Sequence, residues 1–361
     1  MKKGFLLTGI LLWAFILILI TGIILVSAKG GFSDMFTSNV LVKEETLSVS
    51  DAKIIDIQST HYKIEVQKTA GSEVIVSQYG RNNTADDELF TASRENGALS
   101  IILKPDWRLQ LFSFNITEEK LVVSVPAEWN GHVTVKNNSG GIVLSDGFTW
   151  QDVSLTTSSG GVRTYGDMNV QSLVMETSSG GVHTDGHITA ENKVSLKTSS
   201  GGISCKGKVI AEDFSAKTTS GGIHSTEKIE AKTVTLSTSS GGIGLTEAVT
   251  DTFDFKTTSG GITADRLSGG GSLKTSSGGI KAGLTDASSD IQMKTSSGGI
   301  RITLLNEFPF LFEGNTGSGG IRGDIPMEKS DSGNHATAKV GENPSVTIKA
   351  ETSSGGIRVT K

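Results

Sequence analysis

Thr233-Val234-Thr235-Leu236-Ser237-Thr238-Ser239-Ser240-Gly241-Gly242-Ile243-Gly244-Leu245 is the stretch that decides the fold. Apolar side chains alternate up to Leu236, Ser-Ser-Gly-Gly interrupts them, and alternation resumes at Ile243 and Leu245. Alternation with period two is a strand with one buried face. The unit recurs. Ser-Gly-Gly-(Ile/Val) occurs eleven times, with first glycines at Gly140, Gly160, Gly180, Gly201, Gly221, Gly241, Gly260, Gly278, Gly298, Gly319 and Gly355, and nine of the ten intervals span 18 to 21 residues. Such a period marks one supersecondary unit stacked on copies of itself. The expected fold class is all-β, a single-stack β-solenoid (β-helix) of about ten to eleven coils of ~20 residues. A propeller blade needs about 40–45 residues, twice this period.

The phase of the repeat gives the shape of a coil. Counting from the Ser before Gly-Gly, the sixth residue back is apolar in ten of eleven copies (Val133 to Ile348), with Gly271 the exception. The fourth back is mostly apolar, the second back is Thr in ten copies, and the third residue after the Ser is always Ile or Val. An even phase thus becomes odd, so the chain must turn at Ser-Gly-Gly, where glycine supplies backbone freedom. A second turn is visible at Asp146-Gly147, Gly166-Asp167, Asp185-Gly186 and Lys206-Gly207. Stacked Thr residues are expected to point inward and share hydroxyl hydrogen bonds.

The expected organisation has five parts. Residues 1–28 read as a signal anchor, because the uncharged apolar run from Phe5 to Val26 is long enough for a bilayer and follows Lys2 and Lys3. A cleaved signal peptide is the rival, but its apolar region usually spans about 7–15 residues. This predicts a single-pass protein of the cell membrane with a cytoplasmic N-terminus and an extracytoplasmic body. Residues 29–39 read as a tether and residues 40–132 as a β-rich N-terminal cap, with alternation at Ile55-Asp56-Ile57 and Ile64-Glu65-Val66. Residues 133–322 form the repeat stack. Residues 323–361, with the last repeat, read as a C-terminal cap that begins beyond the aromatic run Phe308-Pro309-Phe310-Leu311-Phe312.

The strand, Ser-Gly-Gly-Ile corner and strand, following a β-rich lead that ends in Val125-Pro126, resemble a bacterial family named "putative adhesin", domain of unknown function 4097. The resemblance covers residues 40 to 361. It implies a repeat fold, an association with membranes, and a role at the cell surface or in envelope stress.

Catalytic chemistry finds little support. Glycan-active β-helix enzymes, the alternative reading, need carboxylates aligned on neighbouring coils. Here Asp185, Glu212, Asp213, Glu227, Glu247, Asp265 and Asp286 drift among turn positions. His183 and His187 flank a turn, so no metal site is expected, and no cofactor is implied. Gly202 to Lys208 imitates a phosphate loop, but Val209 stands where Ser or Thr is needed. The single cysteine, Cys205, falls on an inward position and cannot form an intrachain disulfide. Arg322-Gly323-Asp324 reads as repeat geometry rather than recognition. Ice binding would need an outward Thr face.

One pattern points to binding. Three residues before the Ser stand Lys136, Lys197, Lys217, Lys256, Lys274 and Lys294; four after it stand Arg163, Lys281, Arg301, Arg322 and Arg358, with His183 and His224. These two outward columns hold 11 Lys/Arg in 22 places, against 33 in 361 residues overall, so cations concentrate beside the corner of a chain whose net charge is −5. The expectation is a non-catalytic surface module with a basic ridge for an anionic envelope polymer such as teichoic acid or lipopolysaccharide, for lipid headgroups, or for another envelope protein. Rows of Lys also keep exposed strands from pairing laterally. The net charge gives no signal for nucleic acid.

Overall fold

A computed structural model of the chain describes residues 39–82, 84–103 and 119–361. The signal anchor expected over residues 1–28 lies outside them, as does the tether expected over 29–39 apart from Asn39. Among the described residues no helix is long and apolar enough to cross a membrane. The fold is all-β. Among the described residues, 29 strands join in one hydrogen-bonded sheet, and a 3-10 turn at Asp86–Glu88 is the only helical element.

Strands one repeat apart pair in parallel and in register. Asp152–Thr157 lies on His132–Asn137, so Val153 stacks on Val133 and Leu155 on Val135. Val162–Thr164 lies between Ile142–Leu144 and Val182–Thr184. Farther along, Val194, Phe214, Val234 and Phe253 form one column, all buried. Burying each such side chain contributes about 1.5–3 kcal/mol.

Each coil also carries a third inward column beyond the two strands flanking the corner. Phe148, Met168, Ile188, Val209, Ile229, Ala248, Leu267 and Leu284 stack in register and are buried. Chain spacing from the corner to this third segment shortens along the stack, and the register shifts between Ser225/Lys228 and between Ala264/Leu267 absorb the difference. Those changes blur the third column in the sequence.

The Thr column is buried, but its hydrogen bonds differ from the expected hydroxyl chain. Each Thr donates to the first-glycine carbonyl of the adjacent coil: Thr198 Oγ1 to Gly180 O at 2.7 Å, Thr218 to Gly201 at 2.8 Å, Thr238 to Gly221 at 2.7 Å. In the six coils from Thr177 to Thr275 the same hydroxyl accepts the N–H of its own first glycine, as Gly221 N donates to Thr218 Oγ1 at 3.3 Å. One hydroxyl therefore satisfies two backbone groups at a corner where the strand ladder is interrupted. Asn137 takes this role in the first Gly-Gly coil, donating to Tyr62 O at 2.7 Å.

The corner glycines are required for space rather than for backbone freedom. Positive φ among glycines occurs at Gly97, Gly269, Gly271, Gly333 and Gly341, none of them in a Ser-Gly-Gly corner. Instead, a Cβ on the first glycine would overlap the carbonyl of the residue stacked against it, as at Gly201 on Gly180 O or Gly221 on Gly201 O. The second glycine is roomier. At Gly202 the nearest atom to an added Cβ is Gly222 O, at 3.5 Å.

At both ends the stacking order departs from the chain order. Ile54–Ser59 and Lys63–Thr69 form a coil directly against the first Gly-Gly coil, with Ile55 on Val133 and Ile64 on Ile142. Their other face receives Ala98–Ile102 and Lys120–Pro126, again in parallel. Parallel stacking thus continues beyond the boundary expected at residue 133. Antiparallel strands close this end: Glu73–Gly80 on Lys120–Pro126, Val40–Ser48 on Glu73–Gly80, and Thr91–Glu95 on Ala98–Ile102.

At the other end the last repeat does not lie outermost, as its place in the chain suggested. Thr347–Thr352 pairs with Ile291–Thr295 on one side and Phe310–Thr316 on the other. Ile357–Thr360 likewise lies between Ile300–Leu304 and Ile321–Gly323. The final coil is threaded between the two that precede it in sequence. His335–Val340, antiparallel on Phe310–Thr316, then shields an edge that would otherwise be open to pairing with another chain.

Candidate functional site

The positions before and after the corner face outward, as their phase requires, but they do not form one ridge. The Lys column runs Lys136, Thr156, Glu176, Lys197, Lys217, Ser237, Lys256, Lys274, Lys294, Glu351 in stacking order. Lys197 is 4.0 Å from Glu176, and Lys294 is 3.2 Å from Glu351. Lys136, Lys217, Lys256 and Lys274 make no ion pair among the described residues. Acidic and neutral members divide the column into short basic runs.

The column after the corner is more sharply divided. Arg163 lies at its N-terminal end, where Nη2 is 2.7 Å from Asp185 Oδ2 and the guanidinium stacks over Tyr165 at 4.8 Å. Lys206 Nζ reaches the other oxygen of Asp185 at 3.0 Å. Burial opposes ionisation of Asp185, yet hydrogen bonds from Lys206 and Arg163 hold its carboxyl below the ordinary carboxylate range. Burial, then the charge of Arg163, pushes His183 below the usual histidine value. This cluster thus carries its own carboxylate, shared by two cations. Ser204, Gly244 and Thr263 then dilute the column around His224.

The last four coils differ. Lys281 stacks on Arg301, Arg301 on Arg358, and Arg358 on Arg322. All four are exposed, and none makes an ion pair among the described residues. They line a groove of about 610 Å³ together with Gly279, Gly299, Gly356 and Gly320. No carboxylate contributes to it. A separate groove of about 350 Å³ lies on the other side of the corner, lined by Lys294, Asn315 and Glu351 among others. The two columns therefore open onto different surfaces.

The groove has a second set of donors that the side-chain pattern did not reveal. Gly278 O accepts from Thr295, Gly298 O from Thr352 and Gly355 O from Thr316, all buried hydroxyls at 2.7–2.8 Å. With no cis peptide bond present, the N–H of a peptide points opposite to its C=O. The N–H groups of Gly279, Gly299 and Gly356 therefore face outward, and none makes a hydrogen bond within the described residues. The signal was present in the sequence: an inward Thr paired to the first glycine carbonyl forces the next N–H out.

Other candidates stay structural. Cys205 is fully buried, and burial pushes its thiol up to about 11. Among the described residues no three His, Cys, Asp or Glu side chains converge as a metal ion requires. Phe148 stacks on Trp150 at 3.9 Å, and Trp129 meets Trp150 edge-on at 6.1 Å, filling the stack near its N-terminal end.

These features define an all-β protein of stacked coils with grooves along its corner and no enclosed pocket at the cationic face. The chain belongs to the Toastrack DUF4097 family, whose profile matches residues 52–197 and again 187–360. No curated protein matches it. Among solved structures it is similar to a "putative adhesin" from Parabacteroides merdae, with 11% identity over 74% of this chain and 97% of that one and a TM-score of 0.43. It is also similar to a "putative adhesin" from Bacteroides fragilis, at 13% identity over 88% and 96% of the two chains, TM-score 0.31. A "putative lipid binding protein" from Parabacteroides distasonis matches at 15% identity over 90% and 98%, TM-score 0.34.

Proposed function

We propose that this chain is a non-catalytic surface-interaction module that binds anionic polymers of the cell envelope, held to the membrane by residues 5–26 with its body outside the cell. One observation carries the binding reading: Lys281, Arg301, Arg358 and Arg322 stand on successive coils with no carboxylate partner. Like charges stacked directly opposite one another in a sheet repel, so a bound polyanion would relieve a repulsion that the fold leaves in place. The periodic scaffold suits a periodic ligand. The anchor reading rests on the uncharged run from Phe5 to Val26 behind Lys2 and Lys3.

Retention of the chain from residue 29 onward on an immobilised anionic envelope polymer tests the binding reading. Retention at low salt, falling steeply as salt rises, is the expected result; no retention at low salt sinks it. For the anchor, the full-length chain should stay with membranes through an alkaline wash while the chain from residue 29 is released.

A further inference from the structure

The groove at the C-terminal end carries a more specific reading, which rests on the anionic-polymer function proposed above. We propose that it is a binding site for a linear chain of phosphoryl groups lying along the stack axis.

Three features converge on this ligand chemistry. The first is the cation row. At about 4.8 Å per coil, the four side chains span about 14 Å, so they match an extended polymer rather than a compact ion. Three of the four are Arg, whose planar fork presents paired donors to phosphoryl oxygens. The second is the floor of the groove, where the outward N–H groups of Gly279, Gly299 and Gly356 repeat at the same spacing. Backbone N–H rows favour anions with several acceptor oxygens. Because glycine has no side chain, the ligand can approach that row while the Arg side chains hold its flank. The third is the charge balance. The Arg163 and Lys294 neighbourhoods carry their own carboxylates, whereas this groove carries none.

Threading sets the order of the row and places Arg358 inside it. In chain order Arg322 follows Arg301, and Arg358 comes 36 residues later. In stacking order Arg358 lies between them. Without the inserted coil the row would lose an inner cation, and with it the Gly356 N–H.

The test uses the full-length chain and four probes: inorganic polyphosphate, poly(glycerol phosphate), tripolyphosphate and polyglutamate. Either long phosphoryl polymer should bind, and the tighter of the two identifies the source of the ligand. Tripolyphosphate and polyglutamate should bind at least about tenfold more weakly. With about 0.7 of a counterion released per contact on a flexible polyanion, four contacts predict a log–log salt slope of about −3. Arg301→Ser with Arg358→Ser should weaken binding at least about tenfold and roughly halve that slope. Lys197→Ser with Lys217→Ser, on the opposite side of the corner, should change little. All four substituted residues are exposed, so an unchanged melting profile verifies that each variant is folded.

Equal losses in the two variant pairs, or polyglutamate binding as tightly as polyphosphate, would overturn the groove while leaving general polyanion binding intact. Absence of binding to every probe at low salt would overturn both.

Discussion

The middle of the stack and its C-terminal end are built from the same repeat and differ in what they present. From Asp152 to Lys274 each coil lies on its predecessor in the chain, and the column after the corner reads Arg163, His183, Ser204, His224, Gly244, Thr263. Cations there are sparse, and Arg163 is paired with Asp185. At the C-terminal end the last coil enters between its two predecessors, and the column reads Lys281, Arg301, Arg358, Arg322 with no neutral member between them. A side-chain column in such a fold is therefore a property of stacking order, and chain order is only its usual proxy.

The largest effect should come from removing the threaded coil. A chain ending at Glu342 leaves Phe310–Thr316 without its parallel partner. Hydrogen exchange should show amides of Phe310–Thr316 and Ile321–Gly323 losing protection, while Val194 to Leu196 in the middle stay protected, because solenoid coils depend chiefly on nearest neighbours. Full protection at Phe310–Thr316 would mean that the outer coil docks without the insert, and the contrast between the regions would fail.

Next come the corner glycines. Gly201→Ala in the middle and Gly355→Ala in the threaded coil both place a Cβ against a stacked carbonyl. Each should cost about 3 kcal/mol or more in denaturant unfolding, at the upper end of overpacking effects. Gly202→Ala meets only Gly222 O at 3.5 Å and should stay within about 0.5 kcal/mol. A similar cost at Gly201 and Gly202 would show that backbone freedom, not space, selects glycine here.

Thr218→Val keeps shape but removes the hydroxyl that serves both Gly201 O and Gly221 N. The expected loss is about 1–3 kcal/mol, the cost of leaving buried polar groups unpaired. Thr352→Val removes the hydroxyl that serves Gly298 O but not one that serves its own glycine N–H, so it should lose less than Thr218→Val.

The smallest effect is electrostatic and confined to the middle. Asp185 has a folded-state pKa below its unfolded value, so its contribution is present at pH values above the unfolded pKa and lost as pH falls through the folded one. The stability gap between the parent chain and Asp185→Asn should be constant near neutrality and close below about pH 4. A gap unchanged at pH 2 would mean that the carboxylate does not stabilise Arg163 and Lys206 through its charge.

Much of this was legible in the residues. Alternation around Leu236 and Ile243 placed both strands and their inward faces, and the parity change placed the corner. The basic positions were visible as columns. Their division into separate surfaces was not, because it depends on where the corner projects between them. Nor was the third inward column, since register shifts near Ser225 and Ala264 change its distance from the corner. The coil of Ile55 and Ile64 escaped detection because Tyr62 stands where later coils have the first glycine; its carbonyl is the one met by Asn137. The 36-residue interval between Gly319 and Gly355 was the one trace of threading.

By itself the sequence determined that strands would stack, which residues would point inward, and that glycine must stand at each corner. Those properties follow from local periodicity, which every repeat carries independently. Only the tertiary structure decided the order of the coils at both ends, because near-identical repeats offer near-identical docking faces, and local pattern cannot say which two faces meet. That order places Arg358 between Arg301 and Arg322 in the groove that the four cations share.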